Sequence, residues 1–213
     1  MLDELCNKTI NVIVVQEHWL RSDEPDKFNI INADSNYHAL SAMDNAISFG
    51  ILKVRPFGGA GFLWHKCLDS NNQVLSNDSA GRCLVIKLNI NLRSILLINV
   101  YFPCFESGAE YRSEITYYMG FIENISDTVT HTDVIILGDT NFPINSTNPG
   151  FVIMNSLLNC YNIMPCDDLL SGHNLSTYVK VALNSSSTTD HCFVSQALHD
   201  LVSNVSIINC YKL

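Results

Sequence analysis

The chain has 213 residues, 47% of them hydrophobic and 15% charged, with a formal net charge of −9. That composition excludes global disorder, suffices for one domain with a real hydrophobic core, and contains no apolar run of transmembrane length. The acidic balance has the wrong sign for a protein that coats nucleic acid through a basic surface and speaks against tight, unaided DNA binding, but it does not exclude an enzyme whose acidic centre binds a divalent cation. Residues 1–6 carry no basic region ahead of an apolar core, so they do not read as a signal peptide. An intracellular protein, nuclear or cytoplasmic, is expected. The eight cysteines include no Cys-x-x-Cys pair, and several stand in apolar runs such as Arg82-Cys83-Leu84-Val85-Ile86. They read as reduced, small buried hydrophobes rather than as a zinc site.

Taken in order, residues 1–9 read as the tail of a short helix. Residues 10–15 form an apolar, mostly β-branched run, hence a buried strand, ending in Gln16-Glu17-His18-Trp19-Leu20. Residues 21–57, with Pro25, Gly50 and Pro56, suggest long loops and small edge elements. Gly58-Gly59-Ala60-Gly61 leads into a strand through Trp64. Without a Gly-Lys-Ser/Thr or a following helix, these glycines indicate close backbone packing rather than a phosphate cradle. Residues 82–89 and 94–102 are strand-like and joined by a hairpin connection over 90–93. The clearest helix covers 111–131, with Ile115, Tyr118, Ile122, Ile125 and Val129 on one stripe.

Val134-Ile135-Ile136-Leu137 is a short apolar run closed by Gly138, read as a strand buried on both faces. It delivers Asp139 and Asn141 into a turn closed by Pro143. A carboxylate there can take a proton from water or bind a metal, and a carboxamide can donate to a phosphate oxygen. An Asx turn formed for backbone reasons accounts for the same two residues. A second helix is expected over 150–161 and a loop over 164–172. Strands are expected over 177–182 and 189–195 around a polar turn at 184–187, followed by a last apolar alternation at Val205, Ile207 and Cys210.

There is no internal repeat and no interdomain linker, so residues 1–213 are expected to form a single domain. Helices interleaved with mostly β segments predict an α+β sandwich of two packed mixed sheets flanked by helices. Polar groups recur at strand ends, where sites gather. Glu17 closes the first strand, Tyr101 the 94–102 strand, Asp139 and Asn141 the next, and Asp190 opens a later one. Each has a plain alternative. Glu17 can be a solvated loop carboxylate, Tyr101 an aromatic with its hydroxyl in water, Asp190 a turn cap, and His18 an exposed loop residue.

The order and spacing of five motifs resemble the endonuclease/exonuclease/phosphatase superfamily, in particular the apurinic-type endonuclease domain of non-LTR retrotransposons. The motifs are Val14-Val15-Gln16-Glu17-His18-Trp19-Leu20, Gly58-Gly59-Ala60-Gly61, Ile98-Asn99-Val100-Tyr101-Phe102-Pro103, Ile136-Leu137-Gly138-Asp139-Thr140-Asn141-Phe142 and Ser187-Thr188-Thr189-Asp190-His191-Cys192-Phe193-Val194-Ser195. The resemblance implies a four-layer, DNase-like sandwich and in-line hydrolysis of a phosphodiester. It makes Glu17 the carboxylate ligand of one Mg²⁺, with Mn²⁺ as its substitute. Asp139 would orient or deprotonate the attacking water, Tyr101 and Asn141 would hold the scissile phosphate, and Asp190 would buttress a catalytic histidine. DNA is the implied ancestral substrate, with a reverse-transcriptase domain elsewhere in the parent polyprotein.

The chain also departs from that pattern. The family opens with a strand carrying a metal-site Asn, which is not found before residue 1. It closes on a Ser-Asp-His strand, for which two readings stand. Thr189-Asp190-His191 can be that motif, with His191 catalytic. Alternatively Asp190 precedes the earlier family strand that ends here in Val194-Ser195, His191 is an ordinary residue, and the Ser-Asp-His lies beyond Leu213. The expectation is therefore a weak or inactive Mg²⁺-dependent endonuclease domain lacking its first and last strands. The alternatives are a phosphodiesterase or phosphatase acting on a lipid or inositol phosphate, and a non-catalytic, partner-binding remnant.

Overall fold

The structure, a computed structural model, describes residues 11–20, 37–42, 47–48, 51–52, 58–78, 80–104, 108–169, 176–180 and 185–206. Its first strands are β1 (Val12–Gln16), β2 (Tyr37–Ala42), the two-residue β3 (Ile47–Ser48) and β4 (Ile51–Leu52), and β5 (Ala60–His65). β6 (Asn72–Asn77), β7 (Cys83–Ile90) and β8 (Arg93–Tyr101) follow, then helix α1 (Ala109–Thr128), β9 (Asp133–Asp139) and helix α2 (Pro149–Cys160). The chain continues with β10 (Ile163–Pro165), β11 (Tyr178–Lys180), β12 (Ser185–Ser187), β13 (Asp190–Ser195) and the short α3 (Gln196–His199).

β7 and β8 form the expected hairpin, in register from Cys83↔Val100 to Ile90↔Arg93, with Asn91 at φ 55° in its turn. β9 lies parallel to β8, from Ile95↔Asp133 to Tyr101↔Asp139. A parallel pair needs a long crossover, and the 20-residue α1 supplies it. With β13 antiparallel on the far side of β9, the order is β10-β13-β9-β8-β7-β6. A second, antiparallel sheet has the order β1-β5-β2.

The two-residue period of a strand assigns the faces. On β8, Leu96, Ile98 and Val100 join α1 residues Ile115, Tyr118 and Ile122 in one core, together with Met154 and Leu157 of α2. On the other face, Leu97 joins Leu84 and Ile86 of β7 against Phe62 and Trp64 of β5. β1 splits likewise, with Val12 and Val14 on the inter-sheet core and Ile13 and Val15 on the outer face. Burying each such side chain contributes about 1.5–3 kcal/mol, so both faces of the six-stranded sheet are tied down. At the end remote from Asp139, the buried Asp133 carboxylate accepts from Arg93 at 2.8 and 2.9 Å and from Thr132 at 2.7 Å. This clasp joins the starts of β8 and β9.

The architecture is the packed α+β sandwich expected. Several local assignments differ. α1 starts at Ala109 and stops at Thr128, because the β-branched Val129 is extended at φ −99°, ψ 119°. Residues 72–77, given no element from sequence, form edge strand β6. Within the loop expected over 164–172, Met164 and Pro165 belong to strand β10 and Asp167–Leu169 is a 3₁₀ turn, while residues 170–172 lie outside the described residues. Main-chain pairing of Met164 and Pro165 with Val194 and Phe193 outweighs the loop-like composition. The polar turn expected over 184–187 is strand over Ser185–Ser187, since pairing with β11 satisfies its backbone. The helix expected over 1–9 and the alternation from residue 207 onward lie outside the described residues. No helix among the described residues is long and apolar enough to cross a membrane.

Gly138 shows how closely the layers approach. It sits at φ 141°, and a Cβ there would meet the Val100 carbonyl oxygen at 2.0 Å and Gln16 Nε2 at 3.1 Å. Gly138→Ala combines a backbone region closed to side chains with overpacking, and should destabilise the fold by at least about 2 kcal/mol. A lower urea midpoint at unchanged slope is the expected result.

Candidate active site

The ends of β1, β8 and β9 and the start of β13 meet at one edge of the sandwich. Tyr101 and Asp139 are register partners across the parallel pair, and Asp139 is opposite Asp190 across the antiparallel one. β1 arrives from the other sheet and turns sharply. Glu17 and Trp19 have φ of 53° and 55°, and their N–H groups donate to the Gly59 and Gly58 carbonyls at 2.9 and 3.1 Å. Gly59, at φ 96°, has to be glycine, because a Cβ would fall 2.3 Å from the His18 ring. The glycine turn thus receives the end of β1 and sets Glu17 over the strand ends.

The Tyr101 hydroxyl donates to Glu17 Oε1 at 2.6 Å. Burial and that bond push the Tyr101 phenol well above its ordinary range, so it stays a donor. The Arg82 guanidinium lies 5.0 Å from the centre of the Tyr101 ring. Asp139 Oδ1 accepts from the Asn141 backbone N–H at 2.9 Å, with Asn141 at φ 56°. Burial lifts the Asp139 carboxyl from 3.8 to about 6, opposed by the Asn141 bond and reinforced by the charges of Asp190 and Glu17. Asn141 Nδ2 is 2.7 Å from the Phe102 carbonyl. A carbonyl only accepts, so this fixes the amide orientation and commits one of its two N–H donors. The Cys104 thiol donates to Asn141 Oδ1 at 3.3 Å.

Glu17, Tyr101, Asp139, Asn141, Tyr178 and Thr189 line a cleft of about 420 Å³. Four of the five residues singled out from sequence therefore share one cleft. The fifth, Asp190, is exposed beside it and held by its backbone, Thr177 Oγ1 accepting from the Thr189 and Asp190 N–H groups at 3.0 and 3.2 Å. Among the described residues no three His, Cys, Asp or Glu side chains gather to hold a metal. The oxygens that do line the cleft are hard donors. Such donors are of the kind a hard divalent cation takes.

No protein-family profile matches the chain, and no curated protein matches it. Solved structures do. The AP endonuclease LMAP from Leishmania major aligns at a TM-score of 0.66 and 14% identity, over 93% of this chain and 73% of that one. The endonuclease domain of TRAS1, a telomere-specific non-LTR retrotransposon, aligns at 0.62 and 15%, over 94% and 80%. A mannosyl-6-phosphatase from Bacteroides thetaiotaomicron aligns at 0.60 and 12%, over 92% and 74%. The fold is that of the endonuclease/exonuclease/phosphatase superfamily. At these identities the likeness establishes this superfamily's fold alone, and nucleases and phosphatases both carry it.

His191 stands apart from the cleft. Being next to Asp190 on a strand, it points to the other face. Its side chain is fully buried beside Phe193, 2.9 Å from Asp167 and 3.0 Å from the Phe142 carbonyl. Sequence reasoning assigned nothing to Asn99 or Asp167. Asn99 left a signal, a lone carboxamide inside the apolar run Ile95-Leu96-Leu97-Ile98-Asn99-Val100. Asp167 left none, lying in a stretch read as loop.

The raised Asp139 carboxyl makes stability depend on pH. The folded state binds the proton more tightly than the unfolded chain, so stability is lost as pH rises from about 4 to about 6. Asp139→Asn keeps an acceptor for Asn141 and removes that loss. In metal-free buffer the variant should melt higher than wild type at pH 7 and equally at pH 4. The displacement from 3.8 to about 6 caps the gain at about 3 kcal/mol, and solvent screening in the open cleft lowers it.

Proposed function

We propose that the cleft is the active site of a divalent-metal-dependent phosphodiester hydrolase acting on DNA inside the cell, and that its turnover is low. The observation that supports this most is the meeting of Glu17 and Asp139 carboxylates with Tyr101 and Asn141 in one cleft. Glu17 holds the cation, Mg²⁺ or Mn²⁺, which when bound supplies charge stabilisation to the phosphoryl oxygens. Tyr101 donates its one proton to Glu17 and fixes that carboxylate, and it can take a phosphate oxygen only on releasing it. The remaining N–H of the Asn141 amide donates to the phosphate. Asp139, ionised above about pH 6, takes the proton of the attacking water, and Asp190, beside the cleft, would orient a catalytic imidazole if one were supplied there. Among the described residues no imidazole lines the cleft, so proton transfer there rests on one carboxyl, which is the reason for low turnover. An origin in a retrotransposon, with a reverse-transcriptase domain in the parent polyprotein, rests on the motif order and on the likeness to the TRAS1 domain. The phosphatase among the similar structures supports a second reading, hydrolysis of a sugar, lipid or inositol phosphate.

Nicking of supercoiled plasmid and release of phosphate from small esters, each with Mg²⁺ or Mn²⁺, separate these readings. Metal-dependent nicking that Asp139→Asn lowers by roughly 10² or more is expected. Phosphate release without nicking would favour the second reading, and neither activity would leave a non-catalytic fold. Glu17→Gln should weaken Mn²⁺ binding followed by paramagnetic relaxation, and equal binding by both proteins would remove Glu17 from the metal site.

A further inference from the structure

The turn over residues 139–142 carries both Asp139 and Asn141, yet part of what holds it comes from the opposite face of the sheet. Asn141 is a non-glycine residue at φ 56°, a conformation that persists when its surroundings enforce it. Within the turn, Asp139 Oδ1 accepts from the Asn141 N–H at 2.9 Å, and Thr140 Oγ1 lies 3.0 Å from the Phe142 carbonyl. From outside, His191 Nε2 lies 3.0 Å from that same carbonyl. Since a carbonyl only accepts, Nε2 carries a proton. The other ring nitrogen, Nδ1, is 2.9 Å from Asp167 Oδ2; a carboxylate also only accepts, so the two contacts together are those of a ring with an N–H on each nitrogen, and the second fixes the ring plane. The imidazole is fully buried and Asp167 is 16% exposed, so the carboxylate anchors the ring at the rim of the core.

We propose that His191, held by Asp167, is a positioning residue for the active site proposed above. By fixing the Phe142 carbonyl it keeps the turn in the conformation that presents Asp139 and Asn141 to the cleft. It touches no reacting atom. A histidine that served packing alone would be replaced by another ring of similar volume at a loss spread evenly through the core. A positioning histidine loses the turn selectively, and a side chain that restores the donor restores the turn. The inference rests on the hydrolytic reading only for what the turn is used for, because the geometry of the turn can be measured without activity.

The test uses the full chain and three variants, His191→Phe, His191→Gln and Asp167→Ala, followed by amide hydrogen exchange and by the nicking assay. His191→Phe removes the donor to Phe142, Asp167→Ala frees the ring, and the glutamine amide nitrogen can reach the place of Nε2. The Asn141 N–H should exchange at least roughly tenfold faster in His191→Phe, relative to amides of the β8–β9 ladder, because the buried Phe142 carbonyl then keeps only the Thr140 hydroxyl, whose one proton is also within 2.9 Å of the Thr189 carbonyl. Asp167→Ala should show a smaller increase confined to the same turn, and His191→Gln should recover most of the protection. Nicking should follow the same order through kcat, with KM changed by less than about twofold. Unchanged exchange at Asn141, an equal increase across the β8–β9 ladder, or no recovery in His191→Gln would each overturn the proposal. If His191→Phe does not fold, Asp167→Ala decides it. If wild type hydrolyses nothing, the hydrolytic reading falls, and exchange at Asn141 still decides whether His191 positions the turn.

Discussion

The buried carboxamide of Asn99 fixes how the two sheets meet. It is fully enclosed and makes three bonds into the other sheet: Nδ2 donates to the Val15 and Gly61 carbonyls at 3.0 and 2.9 Å, and Oδ1 accepts from Gln16 Nε2 at 2.8 Å. Apolar contacts between sheets are non-directional. Phe62, Trp64 and Leu97 would pack tolerably with β1 shifted along its axis. Each of Asn99's groups left unpaired in that interior would instead cost about 1–3 kcal/mol, so one alignment is selected. The consequence reaches the cleft directly. Tyr101 lies two residues beyond Asn99 on the same face, and Glu17 one residue beyond Gln16. The 2.6 Å bond between Tyr101 and Glu17 therefore follows from the alignment that Asn99 sets. Gly138 leaves the room in which the Gln16 amide lies against the strands.

Strand parity divides the remaining work. The inter-sheet face of β8 and β9 carries Leu97, Asn99 and Tyr101, then Ile135, Leu137 and Asp139, and it ends in the cleft. The opposite face carries Leu96, Ile98, Val100, Val134 and Ile136, which join the core with α1 and α2. Neighbours in sequence can thus serve unrelated ends. Asp190 and His191 are consecutive, yet Asp190 is paired with Asp139 at the cleft, while His191 is paired with Gly138 and buried among helix-facing residues.

This division also explains what the sequence could disclose. Val134-Ile135-Ile136-Leu137 and the run before Tyr101 are uniformly apolar, so their strand character and polar ends were legible without any pairing information. Glu17, Tyr101, Asp139 and Asn141 could be picked out for the same reason, each standing where a buried run stops. The face taken by His191 was not legible, because two readings of the closing motif placed it differently and only the register of β13 on β9 fixes its side. The Ser185–Ser187 strand and the element around Asp167 were misread because their composition is that of turns. Their structure comes from backbone partners outside the segment itself, Tyr178–Lys180 for the serines and Phe193–Ser195 for the strand before Asp167, which local composition does not encode.

The charge of the protein and the chemistry of the cleft are connected. Burial raises the Asp139 carboxyl, and the nearby carboxylates Asp190 and Glu17 raise it further. The net charge of −9 does not favour the approach of a polyanion. Arg82 is near, but its guanidinium is stacked on Tyr101 and bonded to the Tyr101 carbonyl at 3.4 Å, so part of its donor capacity is spent inside the fold. A divalent cation changes both terms together. Held by Glu17, it would offset the repulsion that adds to burial in raising Asp139, and would supply positive charge where a phosphate would dock. In the proposed reaction a cation held by Glu17 would help admit the substrate as well as supply charge stabilisation. Binding then comes from contacts at the cleft itself rather than from long-range attraction, the opposite balance from proteins that hold nucleic acid through a basic surface.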